Sequence, residues 1–277
     1  AGIRVSTARP TTGPASAVAA LASGRRLLVE LVKRDVQSRY RGSLLGALWS
    51  LAQPLMMLGI YTVVFTQVLP TRWPGAERPL DFALLLFVGL ILHGFLADVM
   101  NRAPAMVLSN PNFVRKVVFP LELLPASLVG SALFQLALAT LALAIFILIG
   151  TGSLRWSIVL FPLVALPLAL VALGVAWFLA SLGVYLRDIA QIVGIVATTL
   201  LFLAPIFYPV QFVPQAWRPW LYANPLTVPV EEGRRMCILG TTADWAAIGA
   251  YWIAAGVVAY AGFYWFQRTR RGFADVV

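Results

Sequence analysis

The segment Glu122–Gly150, ELLPASLVGSALFQLALATLALAIFILIG, decides the fold class. After Glu122 it carries no charge, and it is longer than the roughly 20 apolar residues that cross a bilayer as a helix. Five further stretches have the same character: Leu44–Leu69, Phe82–Met100, Trp156–Tyr185, Ile189–Phe207 and Trp245–Phe266. Glu122–Gly150 and Trp156–Tyr185 are long enough to tilt or overrun the bilayer. Pro54, Pro162, Pro167 and Pro205 are compatible with these helices, because neighbouring helices satisfy the carbonyls that proline frees. The chain as a whole agrees. Sixty per cent of it is apolar and only 12% charged, where a soluble domain carries about 25% charged residues, and the mean hydropathy is +0.85. The expected fold is an all-α integral membrane protein with about six transmembrane helices.

A net charge of +10 raises the question of nucleic acid. The 21 basic residues, all arginine except Lys33 and Lys116, lie in the connections between apolar runs. That distribution sets membrane topology and is no nucleic-acid footprint. With the N-terminus inside, 15 basic residues fall on the inner side and 6 on the outer, so both termini are expected in the cytoplasm. Trp73, Trp156, Trp217, Trp220 and Trp245 then fall at the outer water–lipid boundary. Cys237 is the only cysteine, which leaves no internal disulfide and no cysteine metal cluster.

The expected layout is a disordered tail over 1–24, an amphipathic interface helix over 25–42, a six-helix transmembrane domain over 43–267 and a cytoplasmic tail over 268–277. The tail is rich in Ala, Thr, Ser and Pro and lacks the apolar core of a cleavable signal peptide. In the interface helix, Arg26, Glu30, Lys33, Arg34, Gln37 and Arg41 share one side; Leu27, Leu28, Val29, Leu31, Val32, Val36 and Tyr40 are expected to cover the other. Such a helix lies in the membrane plane with its basic face toward lipid phosphates or a protein partner. Asp35 and Arg39 interrupt the apolar side at a spacing that lets them pair with each other. The connection 208–244, with closely spaced prolines and aromatics before Glu231, Glu232, Arg234 and Arg235, fits two readings. It forms short re-entrant helices before the last span, or an external loop packed on the helix ends.

Several chemistries are excluded or disfavoured. Neither lysine follows a glycine-rich run, so the chain has no phosphate-binding loop. Asp98, Glu122 and Asp188 lie near span ends, and ion-coupled transport needs ionisable groups at mid-membrane. His93, the lone histidine, has no visible orienting partner and reads as a packing residue. Nothing gathers into a nucleophile–base pair or metal set, which leaves a membrane transferase, like a pure scaffold, a weak competitor.

The stretch Leu31–Pro54, LVKRDVQSRYRGSLLGALWSLAQP, resembles the N-terminal signature of the ABC-2 type permeases that export O-antigen, teichoic acid or galactan. Asn110–Pro125, NPNFVRKVVFPLELLP, Tyr185–Ile189, YLRDI, and Ala204–Pro209, APIFYP, with Asn224–Thr227 and Arg234–Arg235, resemble the same family in order and spacing. The resemblance implies a homodimer in a bacterial cytoplasmic membrane, bound to two copies of a separate ABC ATPase that carries the ATP and Mg; it implies no cofactor in this chain. It implies export of a polyprenyl-pyrophosphate-linked glycan, with a drug or lipid exporter of the same fold as the alternative. Asn110, Pro111, Asn112, Phe113, Arg115 and Lys116 would form a helix docked on the ATPase, with Ser109 or Asn110 as its N-cap. Arg34 and Asp35 are further expected ATPase contacts, and Arg187 and Asp188 either contact the ATPase too or pair with the interface helix. Arg39, Tyr40 and Arg41 would form the substrate gate, where arginine suits phosphate. Tyr61, Phe65, Phe207 and Tyr208 are the aromatic candidates for the glycan path, a set that ordinary helix and lipid contact also explains.

Overall fold

The computed structural model describes residues 14–40, 49–64, 67, 73–74, 78–114, 119–152, 154 and 156–276. Among the described residues every regular element is helical. Four helices are long and apolar enough to cross a membrane: α4 (Pro79–Arg102), α6 (Leu123–Thr151), α7 (Pro162–Tyr185) and α11 (Trp245–Thr269). Two shorter apolar helices, α3 (Trp49–Val63) and α8 (Ile189–Leu203), complete the bundle. At about 1.5 Å per residue each is about 22 Å long. Among the described residues the expected six spans are therefore represented by four full-length helices, by the short α8 and by α3; residues 44–48, 65–66 and 68–69 of the expected first span lie outside the described ones.

Proline explains one shortfall. Pro205 disfavours helical backbone at the residue before it, and Ala204 is extended, with ψ 149°. The fifth expected span thus ends at Leu203 instead of Phe207, and Pro205 is a terminator there. Elsewhere the helix ends follow local chemistry. The Asp81 carboxylate accepts the Arg78 N–H at 3.0 Å, with Pro79 opening α4. Asp244 Oδ1 accepts the Ala247 N–H at 3.0 Å and caps α11. Gly152, at φ +72°, closes α6 in the left-handed region.

The N-terminal part differs from expectation. α1 (Pro14–Ser23) is a helix within the tail expected to be disordered; its alanine-rich sequence has high helix propensity. The interface helix is α2 (Arg25–Tyr40), lying against α6, where Val32 touches Gly130 too closely for any side chain there. Residues 41 and 42 of that expected element lie outside the described ones.

α4 runs through the middle of the bundle, with Phe82–Val88 buried on every side. His93 Nε2 meets the Ala197 carbonyl at 2.9 Å and ties α4 to α8. α7 and α11 touch backbone to backbone, because a Cβ at Gly174 or Gly262 would collide with main-chain atoms of the other helix.

The helices alternate between two ends. One gathers the first and last described helices, α1 and α12 (Phe273–Val276), and is called here the terminal end. There Arg270 pairs with Glu122 at 3.0 Å and Tyr185 donates to the Thr269 carbonyl at 2.8 Å. α12 seats a buried Phe273 beside Phe266 and Tyr185. At the far end, α9 (Arg218–Ala223) leads into α10 (Thr227–Arg234), which turns back into the bundle with Thr227, Val230, Glu232 and Arg234 buried. The 208–244 connection is thus built of short helices, the last of them tucked among the span ends. Trp156, Trp217, Trp220 and Trp245 are exposed at this end. Trp73 is not: it is buried against Phe82 and Arg234 and belongs to the packing instead of an aromatic belt.

Candidate functional site

The terminal end of α4 carries two charges a helical turn apart, Asp98 and Arg102, and α2 carries two more at the same spacing, Asp35 and Arg39. Laid side by side, the two helices exchange partners. Arg102 Nη2 donates to Asp35 Oδ1 and Oδ2 at 2.6 and 2.8 Å, and Arg39 Nη2 donates to Asp98 Oδ2 at 2.5 Å. The Asp35–Arg39 pair expected within α2 therefore does not form; cross-helix partners replace it because both side chains face α4. Arg102 Nη1 also reaches Asp98 at 3.5 Å, which links the two pairs. Ser131 of α6 donates to Asp35 Oδ2. One carboxylate thus collects α4 and α6 onto α2.

Burial alone would raise the Asp35 pKa, but hydrogen bonds from Arg102 and Ser131 and the charges of Arg102 and Arg39 outweigh it and hold Asp35 below the ordinary range. Asp35 is therefore ionised at neutral pH, and the cluster pairs two carboxylates with two guanidiniums. Asp35 and Arg102 keep 18% and 31% side-chain exposure, so water screens the pair in part.

Below α4 the chain forms a tight turn, Ala103–Ala105, then α5 (Pro111–Val114). Asn110 does not cap α5 with its side chain; Nδ2 donates backward to the Met106 carbonyl at 2.9 Å, fastening the turn that carries α5. Phe113 stacks on Phe119 at 4.3 Å, and Asn112 is exposed. Between this turn and α2 lies a cavity of about 470 Å³, lined by Arg34, Asp35, Ser38, Arg102, Asn110 and Phe113 among others. The α2 residues and the 110–113 segment expected to face one partner therefore share one concavity. Arg187 and Asp188 are exposed at the α7–α8 corner. Among the described residues neither pairs with α2. Arg41, Phe65, Arg115 and Lys116, and the side chain of Tyr40, lie outside what is described.

The aromatic set is dispersed. Tyr61 lines a second cavity, of about 420 Å³, between α3, α4 and α6. Phe207 stacks on Phe202 beyond the end of α8, at 5.9 Å. Tyr208 donates to the Phe202 and Leu203 carbonyls at 3.2 and 3.3 Å, satisfying that helix end. These three do not line one surface.

One charged centre, part of the Arg234–Arg235 pair that carries the resemblance, is given no role by the sequence. Arg234 is 1% exposed. Its guanidinium donates to the carbonyls of Leu85 at 2.9 Å, Pro205 at 2.5 Å and Ile206 at 2.6 Å, with Glu231 at 3.3 Å and the Trp73 ring 4.6 Å away. Burial pulls its pKa down to about 10, so it remains charged. It clamps α10 to α4 and to the end of α8. The available signal was the Glu-Glu-Gly-Arg-Arg run inside an apolar stretch, since a charge drawn into an apolar interior needs partners there. Among the described residues no three His, Cys, Asp or Glu side chains gather as a metal site.

Comparison with known proteins gives one family and a consistent set of relatives. Residues 26–235 match the family described as ABC-2 type transporter. The O-antigen export system permease protein RfbA of Myxococcus xanthus is 30% identical over 192 residues, 68% of this chain and 70% of that protein. RfbA of Klebsiella pneumoniae is 24% identical over 253 residues, 91% and 95% of the two chains. The polysialic acid transport protein KpsM of Escherichia coli is 22% identical over 215 residues, 76% and 80%.

Proposed function

This chain belongs to the ABC-2 type transporter family, and from that premise we propose that it is the transmembrane permease of an exporter for lipid-linked polysaccharide. The relatives' names speak of O-antigen and polysialic acid, both polysaccharides, which favours a glycan cargo over a drug. ATP hydrolysis, with its Mg, belongs to a separate ABC ATPase subunit present in two copies around a homodimer of this chain. The terminal end faces the cytoplasm of a bacterial cell, a reading supported by the 15-to-6 division of basic residues.

One observation carries the mechanism: α2 is joined by ion pairs to the same end of α4 that continues into the Asn110–Phe113 turn. A partner that moves this turn moves α2 and with it Arg39, at the mouth of the cavity between α3, α4 and α6. Arg39, Tyr40 and Arg41 are the gate for the pyrophosphate and first sugars, and Asn110–Lys116, Arg34, Asp35, Arg187 and Asp188 are the ATPase contacts. Conformational work done elsewhere thus reaches the gate through one two-helix joint.

Affinity purification in mild detergent from native membranes, with mass spectrometry of stoichiometric partners, tests this reading. An ABC ATPase at one-to-one ratio, losing its coupling when Asn110–Phe113 is replaced by a Gly-Ser linker, is the expected result. A chain that purifies alone overturns it.

A further inference from the structure

The connection between α4 and α6, residues 103–122, carries the Asn110–Phe113 turn, yet it is fastened to two other helices. At its start the Pro104 main chain lies where a Cβ on Gly183 of α7 would stand, so only glycine fits there. In its middle, Val107 is fully buried in one apolar cluster with Trp177, Ala180 and Val184 of α7 and Phe263 and Phe266 of α11. At its end the Trp177 indole N–H donates to the Glu122 carbonyl at 3.0 Å. The Glu122 carboxylate pairs with Arg270, just past α11. Trp177 also meets Phe263 edge-on, with ring centroids 5.1 Å apart. A steric contact, an apolar seat and a buried hydrogen bond thus hold this connection against α7 and α11 from one end to the other.

α7 and α11 in turn run side by side along the whole of α7. Their main chains meet at Gly174 and Gly262, Tyr185 joins them at the terminal end, and the Trp252 indole donates to the Leu163 carbonyl at 3.1 Å at the far end. The 24 residues of α7 extend about 36 Å, more than a hydrocarbon core of about 30 Å. Where glycine meets backbone there is no rotamer to change, and close-packed contacts pass a displacement on instead of absorbing it. At the far end the pair grips α10. The buried Glu232 carboxylate accepts the Asp244 N–H at 2.9 Å where α11 begins, and Tyr251 donates to the Pro225 carbonyl at 2.8 Å just before α10.

We infer that residues 103–122, α7, α11 and α10 are one body running from end to end of the bundle, with Trp177 and Gly183 the positioning residues that lock the inner connection onto it. The inference rests on the export reading and deepens it. The displacement an ATPase imparts at Asn110–Phe113 reaches α2 through exchangeable ion pairs, and it reaches α10, at the opposite end, through contacts that cannot slip. α10 therefore shifts in step with the docking turn while its own bonds persist.

The test uses the purified complex of this chain with its ATPase. Gln211→Cys is the reporter: Gln211 is exposed and shares a cavity with Glu231 and Arg234 of α10. The native Cys237 is buried, with its thiol pushed up to about 12, and gives no background. The rate of N-ethylmaleimide addition to the reporter, read on this chain by mass spectrometry, is compared without nucleotide and with Mg-ATP and vanadate. The expectation is a change of about five-fold or more. Trp177→Phe keeps an aromatic ring without the N–H; it loses the nucleotide response while ATPase assembly, basal hydrolysis and melting temperature are retained. Gly183→Ala, which pushes the Pro104 main chain off α7, loses the response as well, and Val107→Ala makes the same comparison if either variant fails to assemble. A reporter that ignores nucleotide in the parent complex, or variants that respond as the parent does, overturns the inference and leaves the export reading standing. A chain that brings no ATPase with it sinks the export reading and takes this inference with it.

Discussion

The two ends of this bundle differ in what chiefly fastens them, although Tyr185 reaches the Thr269 carbonyl at the terminal end and Glu231 and Glu232 pair with Arg234 and Arg235 at the far end. At the terminal end, side chain meets side chain: Asp35 with Arg102, Arg39 with Asp98, Glu122 with Arg270. At the far end, side chain meets main chain: Arg234 holds the carbonyls of Leu85, Pro205 and Ile206, Asn224 reaches the Leu200 carbonyl at 3.3 Å, and Tyr251 the Pro225 carbonyl at 2.8 Å. A partly exposed ion pair exchanges readily with water or another charge. A buried guanidinium on main-chain carbonyls has nothing to exchange with, and withdrawing it leaves those carbonyls orphaned. The terminal end is built to be rearranged, and the far end to stay fixed while it is.

Mutation should separate the two ends most sharply. Arg234→Met leaves Glu231 and three carbonyls without their donor and is expected to cost about 3–5 kcal/mol; a thermal melt of purified protein reads it, and a change under about 1 kcal/mol would place the fastening elsewhere. At the terminal end, Asp35→Asn and Arg102→Gln are each expected to depress glycan export more than they depress melting temperature. Their double mutant should show a coupling of about 0.5–3 kcal/mol. Additive effects would mean that the joint is no unit.

The pH response should differ in sign. Asp35 has a depressed pKa, so its stabilisation is complete above the ordinary aspartate value of about 3.9 and disappears as pH falls through the lower folded value. Burial raises Glu231 above the ordinary glutamate value of about 4.3 despite Arg234 and Arg235, so its contribution favours the fold at low pH and fades as pH rises through the raised value. Hydrogen exchange corrected for intrinsic rates should therefore show α10 tightening as pH falls toward the ordinary glutamate value of about 4.3 with α2 unchanged, and α2 loosening only below the ordinary aspartate value of about 3.9. The smallest effect is that of salt. Raising it to about 1 M shortens the Debye length to about 3 Å and should speed exchange in α2 modestly and in α10 not at all.

The sequence reveals the spans because apolar length is a one-dimensional property, and it reveals the connections because charge counts survive without coordinates. It reveals less where a side chain has two partners within reach. Asp35 and Arg39 stand four residues apart and look like a pair; only the approach of Asp98 and Arg102, some sixty residues later, sends each to α4. Trp73 has the composition of a belt residue, and its burial depends on an arginine far along the chain. Pro205 is tolerable in a membrane helix in principle, yet here α8 stops before it: Tyr208 takes the Phe202 and Leu203 carbonyls, Asn224 that of Leu200, and Arg234 holds Pro205 and Ile206 beyond the break. Asn110 keeps its expected place, but its amide donates back to the Met106 carbonyl, a partner three-dimensional turn geometry supplies and the local sequence does not announce.

The close meeting of α7 and α11 sets a rule for mutational libraries. On a single helix, Gly262 admits no larger residue, since a methyl group there would strike the Gly174 main chain, whereas Gly249 and Gly256 have nothing within 4 Å. Alanine scanning of the last span should therefore return a sharp divide, silent at the first two glycines in the chain and disruptive at the third. That divide also tells a protein engineer where a spin label or fluorophore can ride on α11 without prying it from its neighbour.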